Sequence, residues 1–167
     1  MESNNPYQTP EAEVTASDNS AKEQTPKFFA TRGRIGRMRY WCYTMSIYLL
    51  SFVVAIIASA VGTGMGMSES DLEPVATIAM VIVMLPFSII FSMRRGHDLG
   101  MKSAYVGLMF VPLVNLFYGL YLTFAAGTEQ QNEYGLPPSP NSTGLKVGFG
   151  LAILGFIGLI ALIFMVS

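Results

Sequence analysis

The sequence predicts an all-α integral membrane protein, with four transmembrane helices in a small bundle behind a disordered N-terminal tail. Of its 167 residues, 51% are hydrophobic and only 13% are charged, against about 25% charged in soluble proteins. Four uncharged stretches each approach or exceed the roughly 20 apolar residues that a helix needs to cross a bilayer. Segments rich in glycine, proline and charge separate them. This combination is typical of multispanning membrane proteins.

Residues 1–27 differ in composition from the rest and are predicted to be a disordered, acidic, cytoplasmic tail. The segment is rich in Pro, Asn, Gln, Ser and Thr, and it offers little but Tyr7 and Val14 for burial. Such a segment cannot offset the entropy cost of ordering. Its length and acidity also distinguish it from a secretory signal peptide. The run Asn5–Pro10 is interpreted as a spacer, with a docking peptide as the alternative.

The transmembrane domain is predicted to occupy residues 28–167. None of its four spans contains Asp, Glu, Lys, Arg or His, and they cover residues 40–61, 75–93, 105–126 and 147–166. Because proline lacks the backbone N–H that a helix interior needs, Pro86 and Pro112 are expected to bend the second and third spans.

Basic residues predict the orientation of these spans. They precede the first span and recur between the second and third, as Arg94, Arg95 and Lys102. The positive-inside rule assigns both segments to the cytoplasm. The other two connections carry mainly acidic residues and are predicted to be outside, with Lys146 as the exception. Four spans then place both the N- and C-termini in the cytoplasm.

Three short motifs occur around the spans: Gly33-Arg34-Ile35-Gly36-Arg37-Met38-Arg39-Tyr40-Trp41, Arg94-Arg95-Gly96-His97-Asp98, and Asn132-Glu133-Tyr134-Gly135. Their order resembles the bacterial inner-membrane family of domain of unknown function 805, with its patterns G-R-x-x-R-x-x-Y-W, R-x-x-H-D or R-x-H-D, and N-x-Y-G-P. The resemblance covers most of residues 28–140. It implies a small multispanning inner-membrane protein whose activity is not established.

The charged residues of the first two motifs are predicted to form a binding cluster at the cytoplasmic face. Its members are Arg34, Arg37, Arg95, His97 and Asp98. Asp98 is expected to pair with Arg34 or Arg37, which leaves Arg95 and His97 free to hold a phosphate or a lipid headgroup. The simpler alternative is that the arginines only orient the chain and anchor it to anionic lipid.

The third motif is interpreted as a fixed turn of an outer loop. Gly135 would supply a positive φ, and the Asn132 side chain would cap nearby backbone around Tyr134. An epitope for a protein partner is the alternative.

Enzymatic, metal and cofactor chemistry are not expected. His97 and Asp98 are adjacent and point about 100° apart on a helix, so they cannot form an orienting pair with each other. Ser92 and Ser103 are candidate nucleophiles only by proximity. With one histidine and one cysteine, Cys42, the chain offers few zinc ligands.

The sequence therefore predicts a non-enzymatic membrane protein that binds anionic lipid, a membrane-protein partner or a second copy of itself, and no nucleic acid. The alternative is a subunit of a small oligomeric transporter or channel. That alternative ranks second because the spans lack the ionisable group that ion-coupled carriers usually need.

Overall fold

The computed structural model describes residues 25–166, and these residues are all-helical, with no β-strand among them. The chain forms α1 (Arg37–Gly64), α2 (Glu69–Asp98), a 3₁₀ helix (Ser103–Phe110), α3 (Pro112–Phe124) and α4 (Thr143–Val166). Most of the tail predicted for residues 1–27 lies outside the described residues.

Helices α1 and α2 form an antiparallel hairpin and correspond to the first two predicted spans. With 28 and 30 residues, they are each longer than the roughly 20 residues that cross a hydrocarbon core. They are apolar enough to cross a membrane. Many of their apolar side chains, including Leu49, Ile56 and Ile82, are exposed on the protein, which is the arrangement expected of helices that face lipid.

Both helices end in the same backbone motif. After α1, Gly66 adopts a φ of +77° and the N–H of Met67 donates to the Gly62 carbonyl at 3.0 Å. After α2, Gly100 adopts a φ of +73° and the N–H of Met101 donates to the Gly96 carbonyl at 2.9 Å. This Schellman arrangement stops a helix where a glycine supplies the left-handed conformation. It fixes Asp98 as the last residue of α2.

The third predicted span, residues 105–126, is not one helix, so the prediction of a single continuous helix there is wrong. Val111 is extended, with φ of −101° and ψ of 109°, and Pro112 is the first residue of α3. Proline disfavours the helical conformation in the residue before it and suits the first position of a new helix. Pro112 thus begins α3, whereas α2 runs continuously through Pro86.

The 3₁₀ helix and α3 form a hairpin that brings the chain back to the end of the molecule where α2 ends. The N–H of Thr128, beyond α3, donates to the carbonyl of Asp98 at 2.8 Å. The prediction that the connection with Glu129 and Glu133 lies on the opposite side from Asp98 is therefore wrong. The 13 residues of α3 reach only about 20 Å, which is less than the roughly 30 Å of a hydrocarbon core.

Helix α4 begins beside the first turns of α1 and runs parallel to it. The Cys42 thiol lies 3.7 Å from the Leu145 carbonyl oxygen, and the Trp41 and Phe149 rings lie 6.2 Å apart. Farther along, Phe52 and Phe156 line the same cavity. The loop of residues 127–142, which we call the return loop, thus carries the chain from the end of α3 to the start of α1.

The buried apolar core lies at this same end of the molecule. Ile35, Ile47 and Phe91 form it. Phe28 packs against it, with its ring 5.3 Å from that of Phe91 and 4.7 Å from that of Tyr43. Residues 25–36, which we call the strap, are therefore fixed across the ends of α1 and α2.

Candidate functional site

Asp98 occupies the centre of a buried charged cluster. Its Oδ1 accepts hydrogen bonds from Nε and Nη2 of Arg34, both at 3.1 Å, and its Oδ2 accepts one from Nη1 of Arg95. Asp98 is 3% exposed, Arg34 1% and Arg95 0%. One carboxylate thus holds two guanidinium groups out of water, through charge-assisted hydrogen bonds that are stronger than neutral ones.

The remaining N–H groups of Arg34 bind the return loop. Its Nη1 donates to the carbonyl oxygens of Gln130, at 2.8 Å, and Gly135, at 3.2 Å. Its Nη2 also donates to the Thr128 carbonyl. The Gly135 carbonyl also accepts a hydrogen bond from the Asn132 N–H at 3.1 Å. For the Thr128 and Gln130 carbonyls the arginine supplies the donor, and a buried carbonyl without one is costly.

Arg95 holds the end of α3 in the same way. Its Nε donates to the Leu122 carbonyl at 2.8 Å, and its Nη2 donates to the Ala125 carbonyl. Because Asp98 binds Arg34 and Arg95 together, one carboxylate connects the strap, α2, α3 and the return loop.

The turn motif of the return loop has the geometry that the sequence predicts. Gly135 has a φ of +121°, and the Asn132 Oδ1 accepts a hydrogen bond from the Tyr134 N–H at 2.9 Å. The Asn132 Nδ2 donates to the His97 carbonyl at 2.8 Å. The motif is thus a turn docked on the end of α2, not part of a loop at the other end.

His97 is enclosed by the same loop. Its Nε2 lies 2.8 Å from the Ser103 Oγ, and its ring stacks on Tyr134 with centroids 3.9 Å apart and planes within 3°. The nearby Glu133 raises the pKa of the Tyr134 hydroxyl above its usual range. His97 therefore serves as a packing surface and a hydrogen-bond partner.

The structure brings Arg34, Arg95, His97 and Asp98 together but leaves Arg37 outside the cluster. Arg37 is exposed, and its Nη1 makes a long contact of 3.5 Å with the Phe124 carbonyl. The expectation that Arg95 and His97 are free to hold an anion is wrong, because both are buried and engaged. Arg95 and His97 are buried because the 3₁₀ helix and α3 pack against the end of α2.

Several residues of the site were not singled out from the sequence. Arg94 donates to the Lys27 carbonyl at 2.9 Å, and Arg39 donates to the Ser139 Oγ and the Pro140 carbonyl, both at 3.1 Å. A Cβ on Gly127 would overlap the Asp98 carboxylate. Arg39 could have been identified from the sequence, because it lies within one helical turn of Arg37 in the first motif. Nothing in the sequence distinguishes Gly127.

A polar cleft opens beside the cluster. It has a volume of about 440 Å³ and lies between the start of α1 and the return loop. Its basic lining residues are Arg37, Arg39 and Arg95, and its acidic ones are Asp98 and Glu129. Within residues 25–166, no group of three His, Cys, Asp or Glu side chains lies close enough to hold a metal ion.

The fold and the site define a class: an all-helical membrane protein in which a buried arginine–aspartate cluster ties the helix ends together. The chain belongs to the family described as "Protein of unknown function (DUF805)", whose model matches residues 28–136. This confirms the resemblance seen in the three motifs. The match begins in the strap and ends after the turn motif, so it contains the whole cluster and excludes α4.

The chain is similar to two proteins named "Inner membrane protein YhaH", from Escherichia coli (strain K12) and Escherichia coli O157:H7. Each is 26% identical over 107 residues, which cover 64% of this chain and 85% of the relative. No solved structure matches the chain. The relatives' name and the two long apolar helices agree with the prediction of a bacterial inner-membrane protein.

The close approach of Gly127 to Asp98 yields a first prediction. Gly127→Ala should lower the free energy of unfolding by about 1–3 kcal/mol, because two arginines hold the overlapping carboxylate in place. Gly119→Ala in α3 is the matched control, since its Cβ would meet nothing within 4 Å, and it should be neutral or slightly stabilising. Unfolding of the purified protein in mixed detergent micelles measures both, and equal stabilities would contradict the packing.

The second prediction separates the two upstream arginines. Asp98→Asn and Arg34→Gln should each cost about 3–5 kcal/mol of unfolding free energy. The first leaves two buried arginines without a carboxylate, and the second removes one of the two cations that hold the buried Asp98 carboxylate. Arg37→Gln should cost almost nothing. A double-mutant cycle should give coupling between Asp98 and Arg34 of roughly 0.5–3 kcal/mol and none between Asp98 and Arg37. A loss at Arg37 as large as at Arg34 would refute the pairing.

Proposed function

We propose that this protein is a non-enzymatic inner-membrane protein that binds the headgroup of an anionic lipid in the cleft at the start of α1. The observation that carries the proposal is the cleft itself, in which Arg37 is exposed while the other arginines of the site are buried in hydrogen bonds. Among residues 25–166 Arg37 has no carboxylate partner, and a positive side chain of this kind at a polar opening is suited to an external anion.

The first turn of α1 adds to the positive character of the cleft. Gly36 is the N-cap, and no side chain caps the helix there. Gly36, Arg37, Met38 and Arg39 all line the cleft. Free backbone N–H groups and the positive end of the helix dipole favour a negative group at such a position.

The net charge of the residues that line the cleft is positive, which favours an anion. Its lining has Arg37, Arg39 and Arg95 against Asp98 and Glu129. Asp98 is already neutralised by its bonds to Arg34 and Arg95. Glu129 is exposed, so its charge is partly screened by water and salt.

The cleft also has to face the leaflet that holds anionic lipid, and the charge distribution supports that orientation. Every lysine and arginine of residues 25–166 lies at the end of the molecule that contains the cluster, Lys146 in the first turn of α4 included. The first turn of α2, at the other end of the molecule, carries Glu69 and Asp71. We therefore infer that the cluster end is cytoplasmic.

Because the hairpin of the 3₁₀ helix and α3 begins and ends at the cluster end, we infer three membrane crossings rather than four. Helices α1, α2 and α4 would span the membrane, and the 3₁₀ helix with α3 would enter and leave it on the cytoplasmic side. The C-terminus would then lie outside.

Cysteine labelling tests this topology. On a Cys42→Ser background, Asp71→Cys should react with a membrane-impermeant maleimide in intact cells, whereas Gln131→Cys should react only after permeabilisation. Both positions are exposed on the protein. An alkaline phosphatase fused to the C-terminus should be active. Labelling of position 131 in intact cells would instead restore four crossings with an external loop.

The lipid site is tested by counting retained lipids with native mass spectrometry. Arg37→Gln should reduce retention of phosphatidylglycerol by roughly fivefold, since one basic residue near a membrane surface contributes about 1 kcal/mol. Phosphatidylcholine retention should not change. Arg32→Gln is the matched control, because Arg32 is also exposed but does not line the cleft. If both variants lose phosphatidylglycerol equally, the arginines act only as surface charge.

A further inference from the structure

A second polar cavity lies inside the helical domain. It has a volume of about 320 Å³ and lies between α1, α2 and the hairpin of the 3₁₀ helix and α3. Its hydrogen-bonding lining residues include Tyr40, Thr44, Ser88, Ser92, Asn115 and Tyr118. None of the residues that line it is charged.

The polar residues of α1 and those of α2 are spaced so that both sets face this cavity. Tyr40 and Thr44 are four residues apart on α1, and Ser88 and Ser92 are four apart on α2. Residues at this spacing lie on the same helical face. Two such stripes facing each other across a cavity, in helices that are otherwise apolar, mark a polar compartment at the level of the bilayer.

Two of the hydroxyls in this cavity lack a partner among residues 25–166. Thr44 Oγ1 and Ser88 Oγ are buried and make no hydrogen bond. Serines elsewhere on α1 behave differently: the Ser46 Oγ donates to the Cys42 carbonyl and the Ser51 Oγ to the Ile47 carbonyl, both at 2.7 Å. A hydroxyl on a helix ordinarily satisfies itself in this way. Thr44 and Ser88 do not, and a buried hydroxyl without a partner is costly.

The opening of the cavity indicates where a ligand would enter. Tyr48, Leu85 and Phe110 line it and are 44%, 38% and 61% exposed on the protein. Leu85 and Phe110 belong to the apolar outer surface of the helices, which meets hydrocarbon in a membrane. A ligand would therefore enter from the bilayer.

We propose that this cavity binds the glycerol end of an uncharged glycerolipid, of which diacylglycerol is the simplest. A free hydroxyl both donates and accepts hydrogen bonds and matches the hydroxyls of Thr44 and Ser88. The absence of charge from the lining disfavours a phosphate. The acyl chains would remain in the bilayer outside Leu85 and Phe110. The cavity is separate from the cleft at Arg37, and the proposal does not rest on the one made for that cleft.

The test uses full-length protein in phosphatidylcholine nanodiscs that contain dioleoylglycerol, with retained lipid counted by native mass spectrometry. The Thr44→Val and Ser88→Ala double variant should retain at least tenfold less dioleoylglycerol than the parent. The Ser46→Ala and Ser51→Ala double variant, which removes hydroxyls that bond within their own helix, should retain it unchanged. Equal retention by both double variants would overturn the proposal.

A second measurement needs no variant and so does not depend on folding of the mutants. The parent protein should retain dioleoylglycerol in preference to its acetylated derivative, in which the free hydroxyl is blocked. Equal retention of the two lipids would overturn the proposal. So would displacement of dioleoylglycerol by free glycerol together with glycerol uptake into proteoliposomes, because that result identifies a water-soluble polyol and a transport role.

The same variants distinguish a binding role from a structural one. Without dioleoylglycerol, Thr44→Val with Ser88→Ala should melt at the same temperature as the parent or higher, because it removes two unpaired buried hydroxyls. Addition of dioleoylglycerol should raise the melting temperature of the parent only. A lower melting temperature without the lipid, and the same response to it as the parent, would assign the hydroxyls to packing.

Discussion

The arrangement of this protein depends on one buried carboxylate, Asp98, that is shared between the guanidinium groups of Arg34 and Arg95. Removing three charges from water is expensive, and ion pairs in protein interiors repay that cost only with good geometry and further hydrogen bonds. Here the geometry includes two bonds from Arg34 to one oxygen. The further bonds go to backbone carbonyls of the return loop and of α3.

In this cluster arginine side chains supply the hydrogen-bond donors that backbone N–H groups supply to carbonyls in helices and sheets. The return loop has little regular structure of its own, so its carbonyl groups need donors. Arg34 supplies them at the cluster, and Arg39 supplies them at Ser139 and Pro140. Arg94 does the same for the strap at Lys27 and Phe28. A planar group with five N–H donors is suited to this task, and lysine would not replace it.

The cluster also determines where the polar surface of the protein remains available. By holding the end of α3 against α2, Arg95 closes one side of the site. It leaves a cleft on the side of Arg37 and a separate uncharged cavity between the helices. The two spaces differ in chemistry, since one is lined by arginines and the other by hydroxyls. An anionic headgroup and an uncharged hydroxyl are therefore suited to different places in one small domain.

The sequence by itself determined the class of protein, the two long helices and four of the five residues assigned to the cluster, Arg37 being the exception. Length and apolar composition are sufficient for α1 and α2, because the only requirement of a membrane span is to satisfy its backbone internally and face lipid. The positive φ of Gly135 and the capping by Asn132 are local properties and were predictable for the same reason.

The tertiary structure alone decided the path of the chain after α2. Residues 105–126 are apolar throughout, and composition does not distinguish a crossing from a hairpin that turns at Val111 and Pro112. The choice depends on contacts between residues far apart in sequence, above all Thr128 with Asp98 and Asn132 with His97. Those contacts form only when the hairpin returns. They also bury Arg95 and His97 and leave Arg37 exposed. Charge and spacing could not reveal this division, because Arg37 and Arg95 are the same residue type and each lies in a short basic motif.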